Sequence, residues 1–534
     1  MPKMANQSAM ATTAKFPIGV QEFESLRNEG FLYIDKTQLV QKLVEEGRYY
    51  FLSRPRRFGK SMLISTLKAY FEGKRHLFKG LYIDRDDVEW EPRPVLHLDL
   101  NAEKFVSAGS LEKILHDNLS IWESIYGRGT LEDSLSLRFK HVIARAHEQS
   151  GRTIAILVDE YDKPLLQAIG KPELLEDYRA TLKAFYGVMK SSDAHIKFAM
   201  LTGVTKFSKV SVFSDLNNLE DISMVPAFQE ICGITEKELR SNLNEEIREL
   251  GQANGLDLEE CYAELKRMYD GYRFTEDEHA PGMYNPFSLL NALKQKAFKS
   301  YWFETGTPDF LLKVIKQCRY RLDNLTQDPV TPDLLGGIDA QNTTPLPLLF
   351  QSGYLTLKSY DARFKEYTLG FPNAEVEEGF VQYLSRFYTQ DTEVSHVQES
   401  RFFVGNFIRD IESGRTEEFM QRLNTFLHDG DYQIAGKAEL YFQNVMYIVF
   451  KMLGFYTQVE RHTSNGRVDV VLQTPDYVYL FELKLDGTAQ EALQQIEEKQ
   501  YAAPFLNDPR KLIKVGANFS SEYRYMEEWK VCTR

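Results

Sequence analysis

Apolar and polar positions along this chain follow rhythms that change twice. From residue 16 to about 223, short unbroken apolar runs alternate with stretches of helical spacing. Leu39, Val40, Leu43 and Val44 predict a helix over 36–46, followed by a short strand over 49–52 and a second helix over 61–71. PVLHLDL at 94–100 reads as a strand, 111–126 as a helix, and 175–191 as another helix. The runs at 153–158 and 196–202 are continuously apolar, as strands buried on both faces of a parallel sheet are. Strands alternating with helices predict an α/β parallel sheet with flanking helices. From about 231 to 430 helical periodicity dominates, interrupted by turn signals at Gly336-Gly337, Pro345 and Pro347. From 438 the order becomes helix (438–453), strands at 456–461, 467–473 and 477–485, helix (489–501) and strand (511–515). Turns at Ser464-Asn465-Gly466 and Thr474-Pro475-Asp476 separate the three strands.

Length and composition narrow this picture. A chain of 534 residues exceeds what one core supports. The divisions fall at 1–15, without structure, then 16–230, 231–430 and 431–534. An apolar fraction of 43% and a charged fraction of 26% are those of an ordinary globular chain. A net charge of −13 argues against a general coat of nucleic acid while leaving room for a local basic groove. The four cysteines, Cys232, Cys261, Cys318 and Cys532, form no CxxC pair, which fits a reducing compartment. No run is long and apolar enough to span a bilayer, and the first 15 residues lack the apolar core of a signal peptide. The expected location is the cytoplasm, with no membrane partner.

Chemistry enters first at Arg54-Pro55-Arg56-Arg57-Phe58-Gly59-Lys60-Ser61, between a strand and a helix. A phosphate-binding loop belongs there, because backbone N–H groups and the helix N-terminus attract phosphate. Arg57, Phe58, Gly59, Lys60, Ser61 and Met62 make up the expected nucleotide contact. Lys60 reaches the terminal phosphates and Ser61 offers its hydroxyl to Mg2+. Arg54 stands where the general GxxxxGK[ST] pattern has its first glycine. The strand ILVDE then ends in Asp159 and Glu160, a magnesium-holding acid followed by a water-polarising one. Thr202, at the tip of the strand over 196–202, is either a γ-phosphate sensor or a plain strand-end turn.

FPIGVQEFESLRNEGFLYIDKT (16–37), FLSRPRRFGKSML (51–63), LVDEYDKPL (157–165) and LTGVTKFSKVSVFSDLNNLEDIS (201–223) closely resemble the bacterial AAA-ATPase-like family. That family's phosphate loop lacks the first glycine in the same way, which accounts for Arg54. The resemblance implies a P-loop NTPase sheet with an added catalytic-Glu strand. It also implies that 16–19 and 33–37 line the base end of the nucleotide. Arg56 and Arg57 either touch phosphates or a neighbouring subunit, or are solvated. MYDGYRF (268–274), YNPFSLLNAL (284–293) and YWFETGTPDFL (301–311) recur in the resembled family without a role that the residues themselves disclose.

A second constellation lies near the C-terminus. Asp469 is expected within the strand over 467–473, and Glu482 and Lys484 lie two apart on the next strand, hence on one face. Two carboxylates on adjacent antiparallel strands make an oxygen site for Mg2+ or Mn2+, and a lysine beside them neutralises charge on a phosphodiester under attack. Glu439 on the preceding helix is the candidate third ligand, and Gln495 on the following helix a candidate for placing water or phosphate. The element order and the pieces AELYFQNVMYIVFKMLG, GRVDVVL, YLFELKL and ALQQIEEKQYA resemble the PD-(D/E)XK nuclease superfamily. The resemblance implies Asp469, Glu482 and Lys484 as the metal and catalytic triad, with Gln495 accessory.

The joint expectation is an ATPase whose nucleotide state controls a metal-dependent nuclease acting on DNA or RNA. The alternative is a nucleotide-dependent switch whose C-terminal fold only binds nucleic acid or protein. Assembly into a homo-oligomer stays open, since no arginine finger stands out among Arg54, Arg56, Arg57, Arg240 and Arg273.

Overall fold

The computed structural model describes residues 15–129, 134–207, 218–304, 314–315, 318–338, 344–388, 404–428, 438–454, 457–461, 469–523 and 525–533. The N-terminal stretch to 14, the Ser464-Asn465-Gly466 turn and parts of the 201–223 and 301–311 motifs lie outside the described residues. The chain divides into two compact units, Met1–Val314 with Asp328–Val376, and Ile315–Gln327 with Glu377–Arg534.

The first unit is built on strands β1 (Tyr49–Ser53), β2 (Val95–Asp99), β3 (Ile154–Asp159), β4 (Ile196–Gly203) and β5 (Glu220–Asp221). They pair in parallel in the order β2-β3-β4-β1-β5. All six residues of β3 and seven of eight in β4 are buried, which is why their sequence is unbroken apolar text. The order places β4 between β1 and β3, so three strand tips that carry Ser53, Thr202 and Asp159 lie side by side. Helix Ala108–Tyr126 starts at a Ser107–Ser110 capping box, three residues before the expected apolar stripe. Helix Leu135–Ser150 was not among the expected elements; Phe139 stacks on Phe185 of helix Pro172–Ser191 at 4.4 Å.

Helices Glu236–Asn242, Asn244–Asn254, Leu258–Tyr269 and Pro286–Gln295 follow in the same unit, with two short strands, β6 (Ile234–Thr235) and β7 (Met283–Tyr284). They close around a core of Leu239, Ile247, Leu250, Leu265 and Leu289. Phe16, Leu32 and Ile34 pack against that core. A hairpin of β8 (Thr356–Asp361) and β9 (Glu366–Gly370) is a sheet element in a section whose periodicity reads as mainly helical.

The second unit carries β10 (Gln458–Arg461), β11 (Val470–Gln473), β12 (Tyr477–Leu485), β13 (Lys511–Phe519) and β14 (Met526–Thr533), paired in that order. β12 and β13 are parallel and the other pairs antiparallel. Helix Ala489–Glu498 makes the crossover that a parallel pair requires. A Cβ at Gly516 on β13 would stand 2.4 Å from Ala489 O, so glycine there lets the helix lie on the sheet. Asp469 differs from expectation: β11 begins at Val470, and Asp469 is the residue immediately before it.

Candidate active sites

Gly59, the N-cap of helix Lys60–Phe71, has φ 98, a left-handed value that a side chain would strain. Nothing lies within 4 Å of where a Cβ would stand on it, so the loop is open on that side. Lys60, 4% exposed, turns its Nζ back to donate to Arg54 O at 3.0 Å and Pro55 O at 3.2 Å, with Glu160 Oε1 3.7 Å away. Ser61 and Met62 occupy the first turn of that helix. These are the groups a nucleotide triphosphate and Mg2+ require: free helix N–H donors, a buried ammonium and a hydroxyl at the helix start.

Arg54 does not face a ligand. It is 1% exposed, and its guanidinium donates to Ser223 O at 2.7 Å and Phe228 O at 3.3 Å while lying 4.0 Å from the Phe274 ring. Burial lowers its pKa to about 10, which leaves it charged at neutral pH. Arg57 has φ 67 and stacks over the Phe287 ring at 4.8 Å. Arg240 is engaged by Glu236 and Glu259, at 2.8 and 3.0 Å.

Asp159 is 5% exposed at the tip of β3, and its Oδ1 accepts from Thr202 Oγ1 at 2.6 Å. Glu160 follows with φ 54, a left-handed turn that swings its side chain out of the strand line to within 3.7 Å of Lys60. Asp162, fully buried, accepts from Thr205 N at 2.6 Å and Val204 N at 3.2 Å, tying the end of β3 to the end of β4. Burial and the Glu160 charge push its carboxyl up to about 6. Asp162 was not among the expected site residues, although the DEYD spacing at 159–162 marks it as a third acid close to the strand tip.

In the second unit, Val470 pairs with Phe481, which sets Asp469 beside Glu482, and Asp469 Oδ2 accepts from Leu483 N at 2.8 Å. Glu482 is 2% exposed. Its Oε1 takes Gln495 Nε2 and, at 3.5 Å, Lys484 Nζ; Lys484 in turn bonds Gln495 Oε1. Its Oε2 is buried and has no hydrogen-bond partner among the described residues. Burial first, and then the Asp469 charge, push the Glu482 carboxyl up to about 7. A buried carboxylate with one empty oxygen, beside a second carboxylate, is a fit for a divalent cation with oxygen ligands. Glu439 is exposed on helix Ala438–Gly454, where Gln443 Nε2 donates to it at 3.3 Å. Among the described residues, no group of three or more His, Cys, Asp or Glu side chains is placed to hold a metal. Asp469, Glu482, Lys484 and Gln495 are thus together, and Glu439 is not with them.

A parallel sheet with a lysine-bearing loop opposite an acid-tipped strand, and a mixed sheet with an E-x-K strand, define a P-loop ATPase-like protein that carries a nuclease fold. Residues 17–213 match the family described as Predicted AAA-ATPase, and 437–529 match the PD-(D/E)XK nuclease superfamily. The chain is 36% identical over 518 residues to the "Uncharacterized protein in vnfD 5'region" of Azotobacter chroococcum mcd 1, covering 96% of this chain and 97% of that protein. It belongs to the same family as that protein, and in this chain an AAA-ATPase-like domain is followed by a PD-(D/E)XK nuclease superfamily domain. A solved structure of the Aeropyrum pernix ORC2 protein in ADPNP–ADP complexes is similar over 65% of this chain and 88% of that chain, at 11% identity and a TM-score of 0.18, too slight a likeness to argue from. No helix among the described residues is long and apolar enough to cross a membrane.

Proposed function

We propose that this chain hydrolyses ATP at the loop over residues 54–61, and that its nucleotide state controls metal-dependent cleavage of DNA or RNA at Asp469 and Glu482. In this reading 16–230 is the ATPase part, 231–430 connects, and 431–534 is the nuclease part of a cytoplasmic protein. The observation that carries the nuclease reading is Glu482: a carboxylate 2% exposed, with Oε2 unpartnered among the described residues and Asp469 alongside. Left without a cation, such an arrangement costs stability and offers the fold nothing in return.

Bound Mg2+ or Mn2+ supplies the charge that makes water a nucleophile near neutral pH. Asp469 and Glu482 would hold it through oxygen. Gln495 fixes the Glu482 carboxylate in orientation, and Lys484 places a positive charge where the phosphodiester gains negative charge. At the other site Lys60 binds the phosphates and Glu160 polarises the attacking water. Asp159, oriented by Thr202, and Ser61 belong to the magnesium. ATP hydrolysis and cleavage of single- and double-stranded DNA and RNA, measured with Mg2+ or Mn2+ on the full chain, test this. Glu482→Ala with Lys484→Ala should abolish cleavage and leave ATPase activity; an unaltered protein that cleaves none of these substrates would instead be a nucleotide-dependent binding switch.

A further inference from the structure

Arg54, Pro55, Arg56 and Phe58 of the phosphate loop are each held by residues between Ser223 and Gly353. Arg54 is bonded to Ser223 O and Phe228 O and lies on the Phe274 ring. The backbone at Gly353 abuts Pro55: a Cβ there would meet Pro55 Cβ at 2.6 Å. Arg56 O accepts the indole N–H of Trp302 at 3.2 Å. Phe58 is fully buried, edge-on to Tyr272 at 4.8 Å and to Phe274 at 5.5 Å, and its carbonyl accepts from Gly233 N at 3.1 Å. Between Arg56 and Phe58 sits Arg57 with φ 67. A residue with a side chain holds that conformation only where its surroundings over-determine it. Here they do so from both sides, at Arg56 O and at the Phe58 ring.

We propose that Tyr272, Phe274 and Trp302 are positioning residues for the nucleotide. They hold the Arg56–Phe58 backbone in the shape whose N–H groups face the phosphates, in a loop that has an arginine in place of its first glycine. The DGYRF and YWFE segments thereby gain a role: they form the back wall of the ATP site. Nucleotide in the loop and the position of this wall are linked, because neither can move without disturbing the shared contacts. The proposal depends on the reading that the loop binds ATP.

Three substitutions in the full-length chain test it against a fluorescent ATP analogue, with thermal midpoints measured on the same samples. Trp302→Phe keeps an aromatic ring at the position and removes the N–H that Arg56 O accepts. It should weaken nucleotide binding about fivefold, the worth of one hydrogen bond, with a thermal midpoint without nucleotide that is lower than that of the unaltered protein but well above the temperature of the binding assay. Tyr272→Phe should bind as the unaltered protein does, since it keeps the ring that lies edge-on to Phe58, while Tyr272→Ala should bind at least tenfold more weakly. Trp302 is one of four tryptophans, and the nucleotide-dependent shift in emission of the unaltered protein should be reduced in Trp302→Phe. Unchanged affinity and an unchanged nucleotide-dependent shift in Trp302→Phe overturn the proposal and leave the ATP reading standing. If Lys60→Ala binds the analogue as well as the unaltered protein, the ATP reading fails and the proposal with it.

Discussion

Arg54 shows how much one residue can conceal. By pattern it is a missing glycine; in the fold its guanidinium reaches carbonyls 169 and 174 residues away. Restoring the pattern with Arg54→Gly should therefore harm the protein. It strips two buried carbonyls of a charged donor and removes the stacking on Phe274, a loss of about 3 kcal/mol that thermal unfolding would register as a lower midpoint. Glu482 makes an opposite case, because there the native residue weakens the fold. Its carboxyl rises on folding from 4.5 to about 7. The proton is held more tightly in the folded chain, so the stability it confers is full below about 4.5 and is lost as pH climbs through about 7. In chelator, the thermal midpoint of the native protein should fall relative to that of Glu482→Gln between pH 5 and pH 8. Mn2+ should restore the native protein at pH 8 and leave Glu482→Gln unmoved, since the amide has no charge to offer the cation.

Among elements, β4 has the decisive place. It lies between the loop strand β1 and the acid-tipped β3, which brings Thr202 within 2.6 Å of Asp159. Thr202→Val keeps the volume and removes the hydroxyl. ATP turnover should drop by about tenfold or more with KM little changed, as expected for a group that orients an acid in the transition state; steady-state kinetics over a range of ATP concentrations separate the two. The strands of this sheet could be read in the sequence because burial on both faces leaves unbroken apolar runs. β14 could not: MEEWKVCT alternates charge with apolar residues and is mostly exposed, as an edge strand is. The hairpin of β8 and β9 was hidden by the same polarity. E-x-K was legible because two charges interrupt the apolar strand β12. The function of Tyr272, Phe274 and Trp302 was not, since it arises from packing between segments more than 200 residues apart, and no local periodicity records that.

For the molecule as a whole, the division into two units does not follow a single cut. Residues Ile315–Gln327 belong with the C-terminal unit although Asp328–Val376 returns to the first. Asn444, 1% exposed, accepts from Leu322 N at 2.9 Å and donates to Tyr320 O at 3.2 Å. A fragment starting at residue 377 should therefore be less stable than one to which 315–327 has been joined, by about 2 kcal/mol for two buried polar atoms left unpaired, measured by denaturant titration of both. The same non-local wiring sets a timetable. β1 leaves the ribosome before its partners β4 and β5, and the anchors of its loop extend to Gly353. At the usual ~5–20 residues per second, the phosphate loop stays unmade for tens of seconds after its own residues have emerged. A nascent chain arrested near residue 230 already contains every residue of the nucleotide motif and still should not retain ATP, whereas one extended past Gly353 should.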